Sequence, residues 1–169
     1  MDKLQLEELL AAMVRAGGSS LHLLPGRAPC VRVQRRFVVS EQAAVTAAAI
    51  DELTRDFLFE DHRQRLQRLG QVEVLYVART GQRFRTTVTH QEDGRAVLMR
   101  PVPDVPPKLA DLDLPAQIGG FTQFRSGLVL VTGFFGSGKS TTLAALVDKL
   151  NLESSRHVVT IEDPIEFLH

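Results

Sequence analysis

The chain has 169 residues, 44% of them hydrophobic and 24% charged, with 20 Lys and Arg balanced by 20 Asp and Glu. This is the composition of a globular chain with room for one good core or two small ones, and it excludes a disordered or fibrous protein. Zero net charge removes the overall basic excess by which a non-specific nucleic-acid binder collects phosphates, and a single cysteine, Cys30, excludes an internal disulfide and a cysteine-cluster zinc site. That thiol is expected to be buried and inert, in keeping with a reducing cytoplasm. No run reaches the ~18 apolar residues of a membrane-spanning helix, and MDKLQLEELL is too polar for the core of a secretory signal. A soluble protein is expected, reaching a membrane only through a partner.

Leu6, Leu9, Leu10, Met13 and Val14 recur at helical spacing and predict an amphipathic helix over 3–16, stopped by Gly17-Gly18. SLHLL (20–24) and VRVQRRFVV (31–39) read as strands separated by Pro25-Gly26 and Pro29. Ser40 is placed to cap an alanine-rich helix over 41–58 with a stripe of Val45, Ala49, Leu53 and Phe57, and 60–69 predicts a shorter basic helix closed by Gly70. Arg63, Arg65 and Arg68 are expected on its solvated face. Three strands follow, 72–78, 83–89 and 95–100, with Asp93-Gly94 as a hairpin signal between the last two. Residues 1–100 therefore predict a small α+β domain. PVPDVPPKL (101–109) holds four prolines in nine residues, which keeps a chain extended and marks a linker, taken as 101–120.

Beyond it, GLVLVT (127–132) reads as a strand covered on both faces, GFFGSGKS (133–140) as a loop, and 141–151 as a helix with Leu143, Leu146, Val147 and Leu150 in one stripe. Strand, glycine-rich loop and helix form the context in which backbone N–H groups and the positive helix end converge on phosphates. Gly133, Gly136 and Gly138 allow that approach, Ser137 and Thr141 flank it, Lys139 is placed to reach the β and γ oxygens, and the Ser140 hydroxyl suits the oxygen shell of Mg²⁺. ATP and Mg²⁺ are the ligands this pattern predicts. Phe134 and Phe135 fill variable loop positions and are expected to pack on a neighbouring element. HVVTIEDPIEF (157–167) reads as a second apolar strand ended by Pro164, and its Glu162-Asp163 pair is open to two roles, holding Mg²⁺ or orienting an attacking water.

Three pieces together resemble the hexameric secretion ATPases, in particular the twitching-motility ATPases that retract type IV pili. VTGFFGSGKSTTLAALVDKLN is similar to that family's Walker A segment, TIEDPIEFLH to its aspartate box, and GGSSLHL (17–23) to its amino-terminal Gly-Ala-Ser-Asp-Leu-His-Leu stretch, while RFR (83–85) and Arg100 match its arginine positions. The resemblance implies an α/β chain: a PAS-like α+β domain over 1–100, then the truncated start of a RecA-like phosphate-loop NTPase domain over 121–169. It implies a homo-oligomeric hexameric ring, an inner-membrane pilus platform protein as partner, and a cytoplasmic location peripheral to that membrane, with no nucleic acid and no membrane insertion. It further implies that Glu166 is the water-activating carboxylate and that Arg85 and Arg100 are offered to the nucleotide. Two departures stand out: Phe134-Phe135 replaces the usual Pro-Thr, and Ser20 replaces the usual Asp.

The Walker B and histidine boxes are absent, and an open sheet of this class needs more than two strands and one helix. The expectation is a marginal second domain with an open strand edge at 158–162, and a chain that alone hydrolyses ATP slowly or not at all. If the hairpin loop runs from Gln91 to Gly94, His90 faces Arg95 and Arg85 lies opposite Arg100; two like charges side by side repel unless an anion lies between them. Arg83 shares that face as a weaker candidate. His22 is expected to be structural, and His157 precedes the last strand without an assigned role. Competing readings are a type II secretion or pilus-extension ATPase, a small phosphotransferase with Glu162 or Asp163 as its Mg²⁺ carboxylate, and a non-catalytic module that regulates a complete ring.

Overall fold

The computed structural model describes residues 1–169 apart from 104, 135, 164 and 168. The expectations placed on Phe135 and Pro164 thus lie outside the described residues. The chain divides into two compact units, Met1–Val102 and Pro103–His169.

The first unit is built on one antiparallel six-stranded sheet. Helix α1 (Lys3–Arg15) leads into β1 (Gly18–Leu23), β2 (Cys30–Val33) and β3 (Arg36–Val39); α2 (Ala47–Arg55) and α3 (Glu60–Leu69) precede β4 (Gln71–Val77), β5 (Arg83–Gln91) and β6 (Gly94–Val102). In space the strands run β3-β2-β1-β6-β5-β4. Alternation decides the core: Val72, Val74 and Tyr76 of β4, Phe84 and Val88 of β5, Val97 and Met99 of β6, and Leu21 and Leu23 of β1 all turn to one face. There they meet Leu6, Leu9, Leu10 and Met13 of α1, Ile50 and Leu53 of α2, and Leu66 of α3. Each fully buried aliphatic side chain contributes about 1.5–3 kcal/mol relative to exposure, so this cluster dominates the stability of the unit. Asp2 closes α1 with a capping box, its carboxylate accepting from the Gln5 N–H at 2.8 Å and its own N–H donating to Gln5 Oε1 at 2.9 Å. Gly18 is required where α1 meets the sheet, because a Cβ there would stand 2.6 Å from Met13 Cγ.

Several expectations are corrected. The run 31–39 is not one strand: Gln34 (φ 46°) and Arg35 (φ 70°) fold it into a β2–β3 hairpin, because a two-residue loop with both central φ angles positive matches the twist of paired strands. Val14, placed in the apolar stripe of α1, is exposed. Helix α2 is much shorter than 41–58, and its cap is Thr46, whose hydroxyl accepts from the Ala49 N–H at 3.2 Å. Ser40 instead holds a turn, accepting from the Gln42 N–H, and Val45 is buried but bridges to Arg27 rather than starting the helix. Cys30 is half-buried on a strand rather than deep in the core. Gly70 does close α3, at φ 73°, and Arg65 and Arg68 are exposed on that helix while Arg63 is half-buried, pairing with Glu60. The β5–β6 register sets Arg85 opposite Arg100 and His90 opposite Arg95. Strand β6 runs on through Pro101 to Val102, so the proline-rich stretch begins inside the sheet.

The second unit has two 3-10 helices, Leu109–Asp111 and Ala116–Gln123, packed on α4 (Lys139–Glu153), whose Ala144, Ala145 and Leu146 are buried. The strands expected over 127–132 and 157–167 do not form. Neither run has a ladder partner among the described residues, and a strand without one leaves its N–H and C=O groups to water. Leu130 is accordingly 73% exposed and Ile161 98%.

Candidate functional site

The loop into α4 is organised by glycine and by one lysine. Gly136 (φ 75°) and Gly138 (φ 89°) take the left-handed conformation that a side chain disfavours, and Gly138 is the N-cap of α4. No side chain caps this 15-residue helix and no acidic residue sits in its first turn, so its leading N–H groups and positive dipole end remain available to an anion. Lys139 turns back over the loop, its Nζ donating to the Gly133 carbonyl at 3.0 Å and to the Phe134 carbonyl at 2.7 Å. Ser137 packs beneath Gly133, where a Cβ would meet its Oγ at 2.6 Å. Thr142 ties the first turn down, with both its N–H and its Oγ1 donating to the Gly138 carbonyl. Ser140 is exposed and Thr141 half-buried on that turn. Phe134 does not pack on a neighbouring element as expected; it is 91% exposed.

Beside this loop lies a cleft of about 380 Å³ that brings Ser140 together with Glu162, Asp163 and Glu166. The Glu162 carboxylate accepts from the Glu166 N–H at 3.4 Å, and Leu143, Val147 and Phe167 supply an apolar part of the wall. The acidic candidates and the Ser140 hydroxyl therefore share one cavity even though the strand expected to carry the carboxylates is not formed. Among the described residues, no group of three or more His, Cys, Asp or Glu side chains is arranged to hold a metal ion. A hard-oxygen ion such as Mg²⁺, which keeps several waters and takes few protein ligands, fits a site of one hydroxyl and neighbouring carboxylates better than a dedicated cage would. His157 is exposed after α4 and takes no part in the cleft.

The arginine candidates lie in the first unit. Arg85 and Arg100 are opposite one another on the sheet face turned away from the three helices. Arg85 is bridged by Glu73 of β4, Nε to Oε1 at 2.9 Å, which relieves the repulsion between the two arginines. Sequence reasoning missed Glu73; its parity on β4 is the signal that places it on the same face. Arg83 is buried on that face, and its backbone carbonyl accepts from Gln82 Nε2 at 3.3 Å. His22 is structural in the expected sense: its ring bonds to Ser20 Oγ at 2.9 Å and stacks edge-on against Phe37. Burial first, then the charges of Arg100 and Arg32, push its pKa below the ordinary 6.5.

Residues 113–169 match the family described as type II/IV secretion system protein. Over 166 residues the chain is 35% identical to YggR, an uncharacterized protein of Escherichia coli K12, covering 98% of this chain and 50% of that one. Over the same length it is 32% identical to PilT, the type IV pilus retraction ATPase of Pseudomonas aeruginosa, covering 98% of this chain and 48% of the relative. A solved structure of the pilus retraction motor PilT with bound ADP superposes with a TM-score of 0.85 at 34% identity, over 96% of this chain and 48% of that chain. Residues 113–169 thus carry the type II/IV secretion family match, and the chain along its length is similar to PilT. It spans about half the length of these relatives. Its mixed α/β architecture, with the six-stranded antiparallel sheet, is shared with the solved PilT structure.

Proposed function

We propose that the chain binds ATP with Mg²⁺ through residues 133–141 and serves as a subunit of a ring-forming, hexameric motor ATPase that drives type IV pilus retraction. The observation that carries this reading is the loop before α4: two left-handed glycines, an uncapped helix N-terminus, and Lys139 held against the loop's own carbonyls at 2.7 and 3.0 Å. An ammonium held on two carbonyls is poised to exchange them for phosphate oxygens, which bind it more strongly because the acceptor is charged.

In this reading Gly133, Gly136, Ser137, Gly138 and Thr141 shape the phosphate cradle, and Ser140 holds the Mg²⁺, which neutralises charge on the β and γ oxygens. Glu166 is assigned to orient water, with Glu162 holding the Glu166 backbone. Arg85 and Arg100 are assigned to the phosphate charge that grows in the transition state. Partners are further copies of the chain and an inner-membrane pilus platform protein; among the described residues no helix is long and apolar enough to cross a membrane, so the proposed location is the cytoplasm, at the inner membrane through that partner.

Calorimetry with Mg-ATP on the chain and on Lys139→Ala tests the reading. Loss of a charge-assisted hydrogen bond weakens binding by about 1.5–3 kcal/mol, on the order of 10- to 100-fold. Absence of any binding at saturating Mg-ATP, with an intact fold, overturns the proposal.

A further inference from the structure

We infer that the sheet face turned away from the helices holds a phosphate-class anion between Arg32 and Arg100, above the hydrogen-bonded pair Ser20–His22. The inference rests on the function proposed above only for the phosphate character of the ligand; the site itself comes from the strand register.

Ser20 of β1 lies opposite Arg32 of β2. On its other side β1 pairs with β6, Leu21 opposite Met99, and one further step of that register sets Arg100 beside Ser20. Arg85 then follows opposite Arg100. Adjacent strands are ~4.8 Å apart, so the backbones of Arg32 and Arg100 stand two spacings apart, roughly 10 Å. Two long guanidinium side chains at that separation can reach one tetrahedral anion, and their forked donors match its oxygens.

The charges of this row are unequally compensated. Arg85 is committed to Glu73 at 2.9 Å. Among the described residues Arg32 and Arg100 form no ion pair with a carboxylate, and both are exposed. Arg32 is steadied by an aromatic ring, its guanidinium carbon 6.0 Å from the centre of Phe37. The residue between the two cations is a serine, 4% exposed, whose hydroxyl is occupied by His22 at 2.9 Å. Among the described residues no carboxylate pairs with either cation, and the two lie one position over from the Arg85–Arg100 pair read from the sequence. His22 reports the same field, since the charges of both arginines act on its ring. The other titratable group across from it is Cys30.

The test uses the full chain carrying Lys139→Ala, which silences the loop before α4, titrated with inorganic tripolyphosphate while the His22 ring is followed by NMR across pH. Binding should raise the His22 pKa, because an anion offsets the two guanidinium charges. Arg32→Gln and Ser20→Asp should each weaken tripolyphosphate binding at least tenfold, whereas Arg32→Lys should keep most of it and serves as the control for folding. Competition by ATP assigns the site to a nucleotide phosphate, and its absence assigns it to a free polyphosphate; either outcome supports an anion site. A His22 titration unmoved at saturating tripolyphosphate, or undiminished binding by Arg32→Gln, overturns the inference. Should the unmodified chain bind Mg-ATP no better than Lys139→Ala, the proposed nucleotide loop fails while the arginine site still stands on its own data.

Discussion

The two units of this chain treat similar apolar sequence in opposite ways. In Met1–Val102, alternating residues such as Val72, Val74, Val88 and Val97 are buried because every strand has a neighbour and three helices cover one face. In Pro103–His169, GLVLVT and HVVTIEDPIEF also carry apolar runs, yet Leu128, Leu130, Val159 and Ile161 are exposed. The lesson is that an apolar run encodes a capacity to be a strand, and ladder partners decide whether that capacity is used. In the second unit the helical elements, whose hydrogen bonds are internal, form without such partners.

The sharpest way to break this contrast is a pair of truncations. Phe84 is buried at the centre of the first unit, and Phe84→Ala should destabilise it by about 3–5 kcal/mol. Leu130→Ala, at an exposed position, should stay within about 0.5 kcal/mol in the same denaturant titration. Equal effects would mean that 127–132 is part of a packed core after all.

A smaller effect separates two candidate caps. Thr46→Ala removes the hydroxyl that accepts from the Ala49 N–H and should lower stability by about 1 kcal/mol. Ser40→Ala removes only a turn contact with Gln42 and should be near neutral by thermal melting. A larger loss at Ser40 would restore the longer helix.

The smallest expected effect is on pH. His22 has a folded pKa below 6.5, so the folded state binds that proton less readily than the unfolded chain. Its contribution to stability is present above pH 6.5 and is lost as pH falls through the lowered folded value. Melting temperatures should decline as pH falls from 6.5 to that lowered value, and His22→Gln should reduce the decline. An unchanged decline would assign the acid sensitivity to other groups.

Much of the first unit was legible in the sequence because its signals are local. Apolar periodicity located α1, Gly70 ended α3, and Asp93-Gly94 set the β5–β6 register that aligns Arg85 with Arg100. The β2–β3 turn was not legible, since Gln34-Arg35 lacks the usual turn residues and adopts positive φ only because the two strands pair. The helix over 41–58 was overread because alanine favours a helix at every position, whereas Val45 is held by its bridge to Arg27. In the candidate site, the glycines, Lys139 and Ser140 were visible as a motif. The compensation of Arg85 by Glu73, and the lack of it at Arg32 and Arg100 among the described residues, were not.

By itself, then, the sequence determined the glycine loop with its following helix, the alternation that gives the sheet one apolar face, and the family that these resemble. Tertiary structure alone decided which apolar runs became strands, which residues capped the second helix, and which arginines kept their charge uncompensated. The division follows from range: backbone conformation and periodicity are set by residues a few positions apart, whereas burial, pairing and charge compensation depend on groups that the chain brings together only when it folds.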